Sequence, residues 1–334
     1  MKPRIDKIHP PAAITGGEIE LRGADFCENG EKRPTVSIGS AAARLVVGGS
    51  NFIVARVPGD AGGSSVTVAN EADRSEAHAC SIGLRIASNM HPVANPAVDA
   101  AGNVYTTFSG SRGQKVPVSI FKIDLNFQVK PFVSEIVNPT GLIFNQAGNL
   151  LVSSRNTGTI YSVDPAGRIE IYAEGMGVAT GMALDAEENL YVGDRTGTIF
   201  KISPSRQIYV FATLEQSVSA YHLAISPDGV LHASGPTTSS YDAVYRITDR
   251  GDVEVHFRGL GRPQGLVFDP KGRLCVAASY GGRKGVFRLE PGKRPQQIVS
   301  GPGIVGLAFL PTRELVVATT SELYRVPTAG WIGR

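Results

Sequence analysis

The chain has 334 residues, and its 33 Lys and Arg nearly balance its 30 Asp and Glu, which leaves a formal charge of +3. No window combines dense basic residues with interleaved aromatics, which argues against a nucleic-acid partner. No apolar run reaches the roughly 18 residues that span a bilayer, and the N-terminus lacks the apolar segment of a signal peptide. We therefore expect no membrane insertion. The compartment stays unknown, with the cytoplasm as the default, because a removed leader would leave no trace.

The composition favours many short strands joined by tight turns, since 39 Gly and 21 Pro lie among short runs of Val, Ile, Leu and Tyr. This predicts an all-β protein. Its three cysteines, Cys27, Cys80 and Cys275, are too few and too scattered for a Cys-based zinc site or a disulfide framework. A single Cys27–Cys80 bridge and unpaired buried thiols both stay open, and the second is the commoner use of an isolated cysteine.

Residues 1–83 predict a small β-sandwich, because short alternating strands such as 19–21 and 53–57 are punctuated by Gly and Pro turns. The opening of this segment, with Pro10-Pro11, Gly16-Gly17 and the stretch 19–26, resembles that of IPT/TIG domains. The resemblance implies an immunoglobulin-like domain that serves as a spacer or binding module, with no catalytic role. Its acidic residues are expected to be solvated turn positions rather than a metal site.

From residue 92 onward one pattern of four strands recurs at intervals of roughly 40 residues, which is typical of a β-propeller. Each unit carries an aromatic residue in its third strand, as in Ile120-Phe121 and Ile160-Tyr161, and we interpret it as packing between neighbouring blades. The anchor positions of the units are Asn95, Gly141, Gly181, His222, Gly265 and Gly306. Six anchors predict a six-bladed propeller over residues 84–334.

The last unit lacks a fourth strand of its own, because Pro327 and the residues after it break the pattern. The unassigned strand 84–88 is predicted to complete that blade. A ring closed by strands from both ends of the repeat array leaves no exposed sheet edge at its seam.

The repeat resembles NHL-repeat proteins and the gluconolactonase/regucalcin-like superfamily, through pieces such as Gly141-Leu142-Ile143 and Leu190-Tyr191-Val192. For a gluconolactonase the resemblance implies one divalent cation in the channel, held by a Glu, an Asn and an Asp just before different anchors. The corresponding residues are Ala94, Thr140, Thr180, Tyr221, Gln264 and Val305. None is a carboxylate, and Asn95 and Gln264 supply only neutral oxygens, so a Ca or Zn site is weakly supported. We expect no cofactor and no metal.

One histidine, His222, is placed to face the channel mouth, beside Tyr221 and near Ser219. A general base needs a nucleophile within hydrogen-bond reach, which the sequence cannot establish. A hydrogen-bonded channel residue is the favoured alternative, so no catalytic residue is assigned.

The loops between second and third strands carry an excess of bases, and three successive units repeat an arginine there: Arg112, Arg155 and Arg195. Guanidinium groups around a channel mouth suit carboxylate, phosphate or sugar-acid ligands. Two alternatives are that Arg195 pairs with Asp194 and that each arginine buttresses the next blade. The predicted ligand-binding residues are Arg112, Arg155, Asp194, Arg195, Tyr221, His222, Gln264, Tyr280 and Arg283, with Asn95, Thr140 and Thr180 at the channel mouth.

The sequence thus favours a non-catalytic propeller that binds an anionic small molecule, a glycan or a protein segment on this loop face. Tyrosines such as Tyr221 and Tyr280 are expected to add flat stacking surface. The alternative is a metal-dependent lactone hydrolase of the gluconolactonase type with an altered site, and a scaffold without a small ligand is a third hypothesis.

Overall fold

A computed structural model describes residues 1–27, 33–239, 241–329 and 331–332. The described residues form strands and turns with no helix, which confirms the all-β prediction. Accordingly, this part of the chain contains no helix of the length and apolar character needed to cross a membrane.

The first domain folds around one seven-stranded sheet that bends over its own core. Ala41–Ala43 pair with one neighbouring strand and Arg44–Gly48 with another, so a single strand joins the two layers. Ile19, Leu21 and Ile53 fill the space between them. In sheet order the strands are β1 (Arg4–His9), β3 (Glu18–Ala24), β6 (Phe52–Arg56), β5 (Ala41–Gly48), β4 (Thr35–Ile38), β7 (Ser65–Ala69) and β8 (His78–Ala79).

The described residues after the first domain form a propeller-like ring of mainly antiparallel sheets, five of which have four strands each. In chain order the first four sheets are β11 (Ala97–Val98), β12 (Val104–Thr107), β13 (Ile120–Ile123) and β14 (Val129–Val133); β15 (Pro139–Phe144), β16 (Leu150–Ser154), β17 (Thr159–Val163) and β18 (Ile169–Ala173); β19 (Ala179–Leu184), β20 (Leu190–Asp194), β21 (Thr198–Ile202) and β22 (Ile208–Thr213); and β23 (His222–Ile225), β24 (Leu231–Ser234), β25 (Asp242–Ile247) and β26 (Val253–Leu260).

The fifth four-stranded sheet joins the two ends of the ring. It consists of β10 (Leu84–Ser88), β33 (Glu322–Val326), β32 (Leu315–Thr319) and β31 (Ile304–Phe309). Strand β10 pairs antiparallel with β33, and Ser88 lies opposite Glu322. Ile86 and Ala87 of β10 are buried with Leu323, so side-chain packing as well as hydrogen bonding holds this seam.

The remaining sheet has six strands, which corrects the prediction of six equivalent four-stranded units. It contains β27 (Leu266–Phe268), β28 (Leu274–Tyr280), β29 (Arg283–Leu289) and β30 (Gln296–Ser300), followed by β2 (Ala12–Ala13) and β9 (Ser81–Ile82). Strand β2 pairs in parallel with both β30 and β9. The outer edge that β30 would otherwise expose is therefore covered by residues of the first domain.

The segment after β2 inserts a side chain into the ring. Ile14 is buried at 1% exposure in a cluster with ring residues such as Val299 and Val326, and its amide donates to the carbonyl of Ser300 at 2.9 Å. A Cβ on Gly301 would lie 2.3 Å from Ile14 Cγ1, so the missing side chain of Gly301 makes room for Ile14. The first domain is thus packed into the ring rather than tethered to it.

The channel of the ring is narrow because the anchor glycines let the innermost strands approach closely. A Cβ on Gly141 would lie 2.4 Å from the Thr180 carbonyl oxygen, and one on Gly181 would lie 2.3 Å from that of Tyr221. The free space lined by these glycines and His222 is only about 10 Å³. Any ligand of useful size must therefore bind at a mouth of the channel.

Cys27, Cys80 and Cys275 are all unpaired thiols, so the Cys27–Cys80 bridge is not formed. Burial raises the pKa of Cys80 to about 12 and raises that of Cys275 as well. Both thiols behave as small apolar core groups.

Candidate anion site at the channel mouth

A cavity of about 350 Å³ lies at the channel mouth, on the side where second strands lead into third strands. Several of its lining residues come from the segments that lead into the anchors. The polar ones among the lining residues are His91, Thr140, Arg155, Thr180, Arg195, Ser219, Gln264 and Thr320. The predicted residues Thr140, Arg155, Thr180, Arg195 and Gln264 thus line one cavity.

Arg155 enters this cavity from the turn after β16 and is held by one hydrogen bond. Its Nη2 donates to the carbonyl of Gly110 at 2.9 Å. Its Nε is buried, however, and has no hydrogen-bond partner among the described residues. A buried, unpartnered donor on a charged group is costly unless something outside the chain accepts from it.

Neighbouring charges make Arg155 still more receptive to an anion. Burial is the largest cause of the lowered pKa of Arg155, and the positive charges of Arg195 and Arg112 lower that pKa further. None of the cavity-lining residues in the described part of the chain is Asp or Glu. The arrangement therefore carries uncompensated positive charge in a partly desolvated place, which a bound anion would neutralise.

Arg195 does not form an ion pair with Asp194, so one of the two structural alternatives predicted for this arginine is wrong. The Asp194 carboxylate is turned the other way, because Oδ1 accepts from the amide of Val178 at 2.9 Å and Oδ2 from the hydroxyl of Thr196. Asp194 is thus buried at the end of β20, and these contacts occupy the carboxylate that was predicted to bind a ligand. The Arg195 Nε donates to the carbonyl of Ser217 at 3.3 Å. This contact supports a partial buttressing role while leaving the rest of the guanidinium free to bind.

Arg112 is exposed and does not line the cavity, although its charge reaches Arg155. Its loop is positioned by Asn138, whose amide donates to the carbonyls of Gly110 and Ser111 and accepts from the amide of Gly113 at 2.6 Å. Asn138 is fully buried and has a φ of 49°. Sequence reasoning missed this residue. Its position just before the strand that begins at Pro139 was the available signal, since Asn tolerates the left-handed region.

Thr180 braces neighbouring sheets rather than facing a ligand freely. Its hydroxyl donates to the carbonyl of Gly193 at 2.7 Å and accepts from the amide of Tyr221 at 3.1 Å. Thr140 makes one long contact, of 3.4 Å, to the carbonyl of Asn138. Of the two predicted threonines, Thr140 therefore has the hydroxyl that is more available to hydrogen-bond a ligand.

His222 lies below the cavity and is linked to it through Gln264. The imidazole Nε2 is 3.3 Å from Gln264 Oε1, and the ring is buried at 1% exposure. Burial lowers the pKa of His222 to about 4. His222 is thus a neutral channel residue that orients Gln264, and none of its described hydrogen bonds connects it to Ser219 or another nucleophile.

This buried histidine predicts a pH dependence of stability. Between pH 6.5, the ordinary pKa of His, and the value of about 4 that His222 has in the fold, the unfolded chain binds a proton that the folded chain does not. The free energy of unfolding should fall as the pH drops through this window, by up to about 1.4 kcal/mol per pH unit for each such group. Urea unfolding at pH 7, 6 and 5 measures the slope. His232, whose pKa burial also lowers to about 4, contributes in the same sense.

The variant His222→Gln should reduce the slope without abolishing it, because His232 remains. A slope identical to that of the wild-type protein would contradict the assignment of His222 as a buried neutral group.

The residues in the channel do not fit a divalent cation. The Asn95 amide is already used, since its Nδ2 donates to the carbonyl of Leu266 and its Oδ1 accepts from the amide of Leu307, both at 3.0 Å. The described residues contain no group of three or more His, Cys, Asp or Glu that could hold a metal. Asn95 is thus a structural link between innermost strands.

Two predicted residues, Tyr280 and Arg283, are not at the channel mouth. They line cavities between the first domain and the ring, and Arg283 pairs with Glu20. A third prediction, Tyr221 as an exposed stacking surface, is wrong. Tyr221 is buried at 1% exposure, and its hydroxyl donates to the carbonyl of Glu215.

The fold and the site together define a protein in which an immunoglobulin-like domain is joined to a propeller-like ring with a basic channel mouth. Residues 3–80 match the family model of the IPT/TIG domain, as predicted. The sequence matches no curated protein.

Several solved structures share the architecture. An auxiliary nutrient binding protein from Bacteroides ovatus is 12% identical, with a TM-score of 0.57, and the match covers 98% of each chain. A gluconolactonase from Xanthomonas campestris is 15% identical, with a TM-score of 0.60, over 74% of this chain and 90% of that one. A catalytically inactive virginiamycin B lyase from Staphylococcus aureus, solved with quinupristin, is 14% identical, with a TM-score of 0.54, over 92% and 98%. These likenesses show the fold.

Proposed function

We propose that this protein binds a small anionic ligand, such as a carboxylate, a sugar acid or a phosphate ester, at the channel mouth. The observation that carries the proposal is the buried Nε of Arg155, which lacks an acceptor among the described residues and lies near Arg195. Gln264 and Thr140 line the same cavity and offer neutral hydrogen bonds that can orient the ligand.

The comparisons support a binding role in a general way. Structures with this fold include proteins described as nutrient binding as well as enzymes. The enzyme alternative is not favoured, because the channel residues that correspond to a gluconolactonase site lack carboxylates and Asn95 is engaged in strand contacts.

We take residues 1–83 as the immunoglobulin-like domain and residues 84–334 as the ring. We count β27–β30 as a sixth blade within the six-stranded sheet. This count is supported by the innermost strands, since β27 contacts β23 on one side and β31 on the other. A ring of this kind gathers its loops around one channel mouth, which is where the arginines lie.

The proposal predicts that EDTA-treated protein binds at least one small anion. Isothermal titration calorimetry with gluconate, glucuronate, citrate and inositol phosphate should give heat with one or more of them. The neutral counterparts sorbitol and inositol should give none under the same conditions. Added salt should weaken the binding, because the attraction is partly electrostatic. Absence of binding to all the anions at millimolar concentration, or a strict need for a divalent cation, would contradict the proposal.

A further inference from the structure

A second set of cavities lies between the first domain and the ring. One has a volume of about 460 Å³ and the other about 320 Å³, and they share His9, Arg283 and Gln297 as lining residues. We call them together the interdomain groove. Its polar walls are formed by Glu18, Glu20 and Arg56 of the first domain and by Arg283, Lys284 and Gln297 of the ring.

The walls of the interdomain groove are fixed relative to each other. Strand β2 is hydrogen-bonded to β30 of the ring, and the amide of Glu18 donates to Ser300 Oγ at 2.8 Å. The ion pair between Arg283 and Glu20 crosses the same boundary. A preformed groove of this kind can bind a ligand without the cost of closing a hinge.

The charges in the groove are arranged differently from those at the channel mouth. Arg56 Nη2 contacts Glu18 Oε1 at 2.7 Å, and Arg283 Nη2 contacts Glu20 Oε1. Among the described residues each contact uses one nitrogen and one oxygen, so further N–H donors and the second carboxylate oxygens are left for a ligand. Within these two ion pairs the charges cancel, and adjacent donors and acceptors of this kind match hydroxyl groups, since each hydroxyl both donates and accepts.

Two further residues fit the same class of ligand. Gln297 is buried at 3% exposure, and its Nε2 donates to the carbonyl of Lys284 at 3.0 Å, which fixes the orientation of the side-chain amide. Its Oε1 has no donor among the described residues. Tyr280 lines the second cavity and adds an aromatic ring. Lys284 and Arg294, which have no carboxylate partner among the described residues, are exposed, so solvent and salt screen their charges.

A peptide cannot bind in the groove by pairing with strand β30. Peptides commonly bind by adding a strand to a free sheet edge. Here the edge of β30 is already taken by β2, and β2 is itself covered by β9.

From this geometry we infer that the interdomain groove is a second binding site, which takes a neutral oligosaccharide. The hydroxyl groups of the sugar bond to the open positions of the Glu18–Arg56 and Glu20–Arg283 pairs and to Gln297 Oε1. Tyr280 contacts an apolar face of a sugar ring. The inference does not depend on anion binding at the channel mouth.

The test is calorimetric titration of the full chain with maltohexaose, cellohexaose, xylohexaose and mannohexaose, and separately with an acidic and a basic hexapeptide. At least one hexasaccharide should bind. Gln297→Leu and Tyr280→Ala should each weaken that binding at least tenfold, whereas Tyr280→Phe should bind as the wild-type protein does. The midpoint of thermal unfolding checks that each variant folds. Absence of binding to every hexasaccharide, or unchanged binding in both variants, would overturn the inference, as would binding only to an acidic or a basic hexapeptide.

The variant Arg155→Gln separates the two proposals. It should lose anion binding at the channel mouth and keep hexasaccharide binding in the groove. If hexasaccharide binding were lost in Arg155→Gln and kept in Gln297→Leu, the sugar would be bound at the channel mouth, and the second site would be refuted.

Discussion

Replacing Ile14 by Ala is expected to destabilise the whole protein by about 2–5 kcal/mol, the usual cost of truncating a buried aliphatic side chain. Ile14 belongs to the first domain in sequence, yet its side chain lies in the core of the ring with Val299 and Val326. The cavity left by the truncation cannot be filled by Gly301, which has no side chain. Urea unfolding followed by fluorescence and circular dichroism measures the effect.

The matched control is Ile171→Ala, because Ile171 is 60% exposed on the outer strand β18. That change should alter the free energy of unfolding by less than about 0.5 kcal/mol. If the first domain were only a spacer, Ile14→Ala would leave the unfolding of the ring unchanged, and the account of the interdomain packing would be wrong.

Replacing Arg155 and Arg195 together by Gln is expected to weaken anion binding by about 100-fold or more. A hydrogen bond to a charged group contributes roughly 1.5–3 kcal/mol, and two such groups are removed. Calorimetric titration with the tightest-binding anion of the panel measures the loss. The double variant should stay close to the wild-type protein in stability, because the hydrogen bonds lost to the carbonyls of Gly110 and Ser217 are offset by the removal of a buried donor that lacks a partner and of the repulsion between two neighbouring cations.

The control variant also removes two positive charges, but from a different part of the ring. Arg168 and Arg250 lie in turns between third and fourth strands, and the Arg168 side chain is 84% exposed. Arg168→Gln combined with Arg250→Gln should leave binding within about twofold, since exposed charges at a distance are screened. Equal losses in both double variants would mean that net charge, and not the channel mouth, governs binding. Loss of folding in the Arg155 and Arg195 variant would instead support the buttressing alternative.

The repeat could be predicted because its physical cause is local. Alternating apolar residues and turn glycines recur at a fixed period, and this pattern identifies strands without knowledge of the rest of the molecule. The same period located Thr140, Arg155, Thr180, Arg195 and Gln264, which the structure brings together around one cavity.

The predictions from the sequence were wrong where the position of a residue depends on side-chain direction or on long-range packing. Asp194 and Arg195 are adjacent in sequence, but Asp194 ends a strand and its carboxylate caps the turn, so the two side chains diverge. Tyr221 precedes an anchor, as Thr140 does, yet it fills the core between neighbouring sheets. A position in a repeat therefore indicates where the backbone runs, and it does not determine whether a side chain faces the solvent.

The interdomain groove was beyond sequence reasoning for a similar reason. Tyr280 and Arg283 flank the two-residue turn Gly281-Gly282, in which both residues have positive φ, as a tight hairpin requires. The hairpin is recognisable from the sequence. Its contact with Glu20 depends on how β2 docks on β30, and two alanines carry no signal for that pairing.

We propose, centrally, that the buried and unpartnered Nε of Arg155 marks an anion site at the channel mouth. Anomalous diffraction from crystals soaked in bromide tests it most directly. The account predicts a bromide peak within hydrogen-bond distance of Arg155 Nε, and no such peak in crystals of the Arg155→Gln variant. Bromide bound elsewhere on the molecule with none at Arg155, or an equal peak at that position in the variant, would contradict it.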